Sequence, residues 1–250
     1  MKKFSKDIFV KYDRKTDTIV TKYLILPIGR KISLFFLNFT EFKPYHITFL
    51  GLFISLISAY LFSIGNYFVA AFIFQLAIIF DCVDGYVARI KNIGSSFGII
   101  LDGYVDFLKI LINSAAIIYS LNFDYLITIL FFLFIILNLF ESYLDVSINK
   151  CLNLLSNDKK LFLNYFEKKI LKIKNILSRK GLRTIFYYTQ ERYFIVFFIG
   201  SILNNYYLTL ILNLILVVVF LHLRIVLDLS LIKYQLINKT KEELKFRNFV

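Results

Sequence analysis

Four aspartates lie within a 26-residue stretch of strongly apolar sequence, "DCVDGYVARIKNIGSSFGIILDGYVD", from Asp81 to Asp106. The run "FVAAFIFQLAIIF" leads directly into it. An ionised carboxylate in hydrocarbon costs on the order of 3 kcal/mol or more, so intramembrane acids mark a functional site or a transport path. On a helix, Asp81, Asp84, Gly85 and Ala88 share one face, and Gly98, Asp102 and Asp106 share another. The short turn "NIGSS" would make the two helices antiparallel neighbours with their polar faces meeting. At 1.5 Å per residue the carboxylates would converge about one to three turns below the membrane surface. Four carboxylates at close range cannot all stay ionised without cations. Mg2+ or Mn2+ takes oxygen ligands, and two ions can share bridging carboxylates. A two-ion site would stabilise the attacking and leaving oxygens of a displacement at phosphorus. Small residues at 85, 88 and 98 would let a pyrophosphate approach closely, although small residues also make helix-packing seams.

Elements that position such a site must be membrane helices. The 250-residue chain is 58% hydrophobic and 18% aromatic, with two prolines. Its mean hydropathy is +0.69. A soluble domain runs about 45–50% apolar. A spanning helix needs roughly 20 apolar residues. Six candidates follow, at about Pro44–Ile64, Tyr67–Val87, Phe97–Leu121, Tyr125–Ile148, Thr184–Leu203 and Tyr206–Leu227. The fifth is the least apolar, since it must include "TIFYYTQER".

Charge tests this assignment. The net charge is +13. Ten Lys/Arg precede residue 44, two (Arg89 and Lys91) separate spans two and three, ten lie from Lys150 to Arg183, and five follow from Lys233. The connections near Gly65, Asn122 and Asn204 carry none. The alternation predicts six spans with both termini and the acidic site on the cytoplasmic side of the inner membrane. In this setting the excess reflects topology and anionic lipid and predicts no nucleic-acid partner.

The fold expected is therefore all-α and integral to the membrane. Residues 1–43 form a cytoplasmic and interfacial segment, 44–230 a six-helix catalytic domain and 231–250 a basic tail. Thr16–Phe39 reads as an amphipathic helix lying on the inner surface and bent near Pro27. The 150–183 insertion, between spans four and five, carries apolar residues at helical spacing among lysines from Lys159 to Gly181. It predicts an interfacial basic helix, with a solvated helix as the alternative. Charge throughout the first 48 residues predicts no cleavable signal peptide. Cys82 and Cys151 form no disulfide framework.

The spacing Asp81-x2-Asp84-Gly85-x2-Ala88-Arg89-x8-Gly98-x3-Asp102-x3-Asp106 resembles the full signature of the CDP-alcohol phosphotransferase (CDP-alcohol phosphatidyltransferase) family. "KPYHITFLGL" is similar to the start of that family's first span, with Pro44, Ile47 and Thr48 matching and Tyr45 in place of the usual Asn. The resemblance implies transfer of a substituted phosphate from a CDP-linked donor to an alcohol, with release of CMP, in phospholipid biosynthesis. It implies that Asp81, Asp84 and Asp102 hold the metals and that Asp106 is the general base and a further ligand. It places Thr48, Asp84, Gly85, Ala88, Arg89 and Gly98 at the cytidine diphosphate. Within the family CDP-diacylglycerol commonly donates to a polar alcohol; the alternative is a small CDP-alcohol donating to a diacylglycerol-type lipid. Homodimers are common in it. Arg89 is alternatively a positive-inside anchor.

Two further cations sit inside the spans. Arg192 and Lys109 are candidates for binding an anionic part of the acceptor or donor, and Lys109 is alternatively a partner for Asp106. Members of the family that use phosphorylated acceptors often carry a basic residue after a Ser-Tyr pair. Here Ser142-Tyr143 is followed by Leu144-Asp145, and Glu141 with Asp145 would repel a phosphate. A neutral or amine-bearing alcohol is expected. The more remote reading of the same acids is a divalent-cation transporter, which would not need the glycines, alanine and arginine at those intervals. A catalytically silent scaffold is not favoured, because all four aspartates are present.

Overall fold

The computed structural model of the chain describes residues 4–5, 8–12, 20–156, 190–222 and 225. The basic insertion beyond residue 156, the first residues of the fifth expected span and the tail lie outside the described residues. Among the described residues the structure is helical and contains no strand.

A short helix α1 (Ile8–Tyr12) precedes a π-helical turn, Thr21–Ile25, that runs into α2 (Leu26–Phe39). The Leu26 N–H bonds back to Thr21 O. This wide turn falls next to Pro27, where the sequence predicts a bend, because proline has no N–H to continue the α ladder. Leu26, Gly29, Ser33, Phe36 and Leu37 form the buried stripe of α2, which packs on α4 (Tyr67–Lys91). The opposite side exposes Tyr23, Phe35 and Phe39.

Between them, α3 (Pro44–Ser63) starts where Pro44 occupies the first turn and His46 Nδ1 accepts the Lys43 N–H at 3.1 Å. Between the apolar Ile47 and Phe62 its buried face is small and largely polar: Thr48, Gly51, Ser55, Ser58 and Ala59. Ala70 and Ala77 of α4 meet this face: Ser58 Oγ donates to Ala70 O at 2.9 Å, and a Cβ on Gly51 would stand 3.4 Å from Ala77 O. Small side chains let two helices approach closely in a membrane. Left-handed Asn92 (φ 54°) ends α4, and the Ile93 N–H caps back to Ala88 O at 3.0 Å. Ser95 then caps α5 (Ser96–Ser120) by accepting from the Gly98 N–H at 3.0 Å.

The backbone of α3 packs closely on both α4 and α5, whose own backbones approach each other little; their polar faces meet through side chains. The gap between them is where the carboxylates converge.

The remaining rods are α6 (Tyr125–Ser156), then Gln190–Tyr193, a π-helical Phe194–Ile199 and Gly200–Leu203 running on as α7, and finally α8 (Tyr206–His222). Asp124 caps α6 by accepting the Ile127 N–H at 3.0 Å, and this bond holds its carboxyl below the usual carboxylate range. Among the described residues three helices are long and apolar enough to cross a membrane: α3, α4 and Tyr125–Leu144 of α6. α5 matches them in length, but it carries Asp102, Asp106 and Lys109 and is not one of the three. Phe197 of α7 packs against Phe62, Phe74, Phe131 and Phe134, tying the α3–α4 pair to α6.

Candidate active site

Two adjoining features make the site. The first is a carboxylate trio. Asp81 of α4 and Asp102 and Asp106 of α5 each bring one oxygen to within 4.8 Å of the others. The second is a cavity of about 400 Å3 at the α4–α5 turn. Thr48, Asp84, Gly85, Ala88, Arg89, Gly98 and Asp102 all line it, together with Pro44, Tyr45, Ser95 and Phe97. Asp102 belongs to both features and joins them.

The fourth aspartate is set apart from the trio. Asp84 is 5% exposed and accepts a 2.5 Å hydrogen bond from Thr48 Oγ1, which is itself 4% exposed. Thr48 can reach it because α3 leans on α4 at this level. A buried carboxylate needs such a donor or a cation. The glycines leave room. A Cβ built on Gly85 would stand 3.1 Å from Arg89 Nη1, and one on Gly98 would stand 3.2 Å from the capping Ser95 Oγ. The Arg89 guanidinium lies 5.0 Å from the centroid of the Tyr86 ring. Phe9 of α1 packs edge-on against the same ring at 4.9 Å.

Lys109 completes the trio on its inner side. Its Nζ is 2.8 Å from Asp106 Oδ1 and 3.5 Å from Asp81 Oδ1. The ammonium is buried, whereas the Asp106 side chain is 41% exposed. One turn deeper, Asn113 Nδ2 donates to Ser55 Oγ and to the Lys109 carbonyl, both at 2.7 Å. Sequence reasoning missed Asn113 and Ser55. Their signal was available: Asn113 continues the Asp102–Asp106–Lys109 face of α5, and Ser55 continues the Thr48–Gly51 face of α3.

Arg192 is elsewhere. It is fully buried in α7, ion-paired to Glu141 of α6, and its Nη1 donates to Asn138 Oδ1 at 3.0 Å. Glu141 is therefore turned to Arg192 inside the bundle. The side chain of Asp145 lies outside what the structure describes.

The residues present fit a divalent metal. Four aspartates share the site with the Lys109 ammonium and the Arg89 guanidinium of the cavity wall, so negative charge is left over. Every donor in the trio is a hard carboxylate oxygen, the type that Mg2+ and Mn2+ take at about 2.1 Å. A spacing within 4.8 Å brings three oxygens onto one ion by small side-chain rotations.

Membrane-capable helices around a half-buried acidic cluster, with a small cavity beside it, fit a membrane-embedded protein whose carboxylates could hold a hard metal ion. Residues 42–156 match the family model described as CDP-alcohol phosphatidyltransferase, and the chain carries a domain of that transferase family. The matched segment covers α3 to α6 and contains the trio, the cavity lining and Lys109. The family implies a CDP-alcohol substrate and an alcohol acceptor, and it is metal-dependent. No curated protein is significantly similar to the chain.

Proposed function

We propose that the chain transfers a phosphatidyl group from CDP-diacylglycerol to the hydroxyl of a polar alcohol without a phosphate of its own, releasing CMP. The observation that carries this reading is Asp102, shared between the carboxylate trio and the cavity of about 400 Å3. That arrangement puts a cation site and a diphosphate-sized space side by side. Small-ligand pockets run about 300–1,000 Å3.

The roles follow from placement. Gly85, Ala88 and Gly98 let the diphosphate come close to the backbone, and Arg89 supplies a planar, two-pronged cation for it. Thr48 fixes Asp84 at the cavity wall. Asp81, Asp84, Asp102 and Asp106 are the residues that would hold two Mg2+ or Mn2+ ions. When bound, the metal offsets the charge that develops on the leaving diphosphate oxygen. Asp106, the trio member with a 41% exposed side chain, takes the proton of the attacking hydroxyl. Two buried cations in the bundle, Lys109 and Arg192, are each engaged by a carboxylate of the chain itself. This supports an acceptor that carries no phosphate.

The arrangement of the chain is part of the proposal: six spans, α2 lying on the cytoplasmic face of the inner membrane, and the cavity opening to the cytoplasm. The test uses purified protein, Mg2+, labelled CDP-diacylglycerol and a panel of alcohols, with and without phosphate groups. CMP and a new lipid are expected only when donor, acceptor and metal are all present. A chelator abolishes both products, and added Mg2+ or Mn2+ restores them. CMP release under excess chelator would overturn the metal reading. A product formed only with phosphorylated alcohols would overturn the acceptor assignment.

A further inference from the structure

Lys109 is poorly explained as a simple neutralising charge. Its head is buried in a membrane-type bundle, where a lysine is costly, and it partly balances only two of the four aspartates. The fold nevertheless makes a place for it. Gly51 of α3 lies beside it: a Cβ there would stand 3.3 Å from Phe80 Cβ, 3.4 Å from the Ala77 carbonyl and 3.6 Å from Nζ. The Asn113–Ser55 bond of 2.7 Å pins α5 to α3 one turn deeper and fixes the lysine's backbone. From there the side chain reaches back to two members of the trio. Asp81 Oδ1 accepts no hydrogen bond and has Nζ as a cation at 3.5 Å.

We propose that Lys109 is a positioning residue: a tethered cation that competes with a divalent ion for Asp81 and Asp106 and so weakens the filling of the trio. Asp81 and Asp106 each offer one oxygen to the trio, and the ammonium lies against both side chains. An ion that recruits all three carboxylates must displace Nζ or bind beside a positive charge a few ångströms away. Asp84, held by Thr48 at the cavity wall, makes no ion pair with Nζ. The ions therefore bind unequally, with the weaker one on the Asp106 side.

This inference rests on the metal reading proposed above, and the experiment separates the two. The protein in detergent micelles is titrated with Mn2+ in the absence of donor, and free Mn2+ is read by electron paramagnetic resonance. Lys109→Met and Lys109→Gln are expected to bind the weaker ion at least about tenfold more tightly than the unaltered chain. A unit charge about 4 Å away is worth more than that at an effective dielectric near 20. Steady-state assays on the same variants should show a changed dependence on metal concentration with little change in donor KM, because Lys109 does not line the cavity. Should neither variant fold, the unaltered chain labelled with 15N-lysine decides: the Lys109 ammonium resonance is expected to move in step with added Mg2+. Superimposable Mn2+ isotherms in folded variants, or a resonance that stays still while Mg2+ binds, would overturn the proposal alone. Absence of any Mn2+ binding to the unaltered chain and both variants would overturn it together with the metal reading.

Discussion

Gly85→Ala separates the two roles a small residue in this seam could play. If Gly85 serves the donor site, the added methyl harms substrate binding and spares the fold. The new Cβ would stand 3.1, 3.6 and 3.7 Å from Nη1, Nη2 and Cζ of Arg89. The first distance is too short, and the guanidinium is the flexible end of a side chain, so it retreats by a few tenths of an ångström. Its stacking on Tyr86 is worth about 0.5–1 kcal/mol. Alanine in place of glycine returns about 1 kcal/mol of helix propensity. Stability should therefore be nearly unchanged. The cost falls on the donor: charge-assisted hydrogen bonds are worth about 1.5–3 kcal/mol, or roughly ten- to a hundredfold in affinity. The assay is initial CMP release against CDP-diacylglycerol concentration at saturating acceptor and Mg2+, alongside thermal unfolding in detergent. A donor KM raised about ten- to a hundredfold with Tm held within a few degrees is the expected result. In an Arg89→Ala background the same change should add little, because both changes act on one contact. A donor KM within twofold of the unaltered chain would refute the placement of the diphosphate. A large fall in Tm with intact kinetics would make Gly85 a packing residue.

Asp106→Asn should lower kcat by about 10²- to 10⁴-fold, the usual worth of a general base, with donor KM little changed because Asp106 does not line the cavity; kcat within tenfold would remove the base assignment. Thr48→Val keeps the shape of the side chain but takes the 2.5 Å donor from a carboxylate 5% exposed. A loss of about 1–3 kcal/mol in unfolding free energy is expected, together with a raised donor KM. Arg192→Met leaves Glu141 buried without its cation and should cost about 3–5 kcal/mol, read as a lower Tm in detergent. Arg192→Met with Glu141→Leu should recover most of that loss, and failure to recover would mean that the pair does more than neutralise itself.

The helices α3 to α5 were legible from the sequence because apolar runs of about 20 residues mark them, and in the structure their ends carry residues with a local mechanism. Pro44 starts α3, Asn92 ends α4 in the left-handed region, and Ser95 caps α5. The acidic faces were legible too, since helical spacing fixes which residues share a side. What spacing cannot give is which rod lies beside which. The polar faces of α4 and α5 do meet, but through side chains, while the backbones that approach closely are those of α3 with each of them. The Arg192–Glu141 pair joins residues 51 positions apart, and no local pattern links them. Both π-helical turns were also invisible, as a shifted hydrogen-bond register leaves no residue signature of its own.

Charge balance distinguishes the two polar centres of this bundle more clearly than burial does. At the α6–α7 seam Arg192 meets Glu141, and the Asn138 amide oxygen takes a further N–H. Near the α4–α5 turn four carboxylates share the site with two cations, Lys109 and Arg89, and Thr48 and Lys109 supply hydrogen bonds to two of them. A fold that built only a structural polar seam there would pair its acids as it pairs Glu141. It leaves the surplus instead beside a cavity whose wall carries Arg89. Negative charge at the inner end and positive charge in the wall suit a substrate that is anionic and arrives with metal, and a diphosphate meets both conditions.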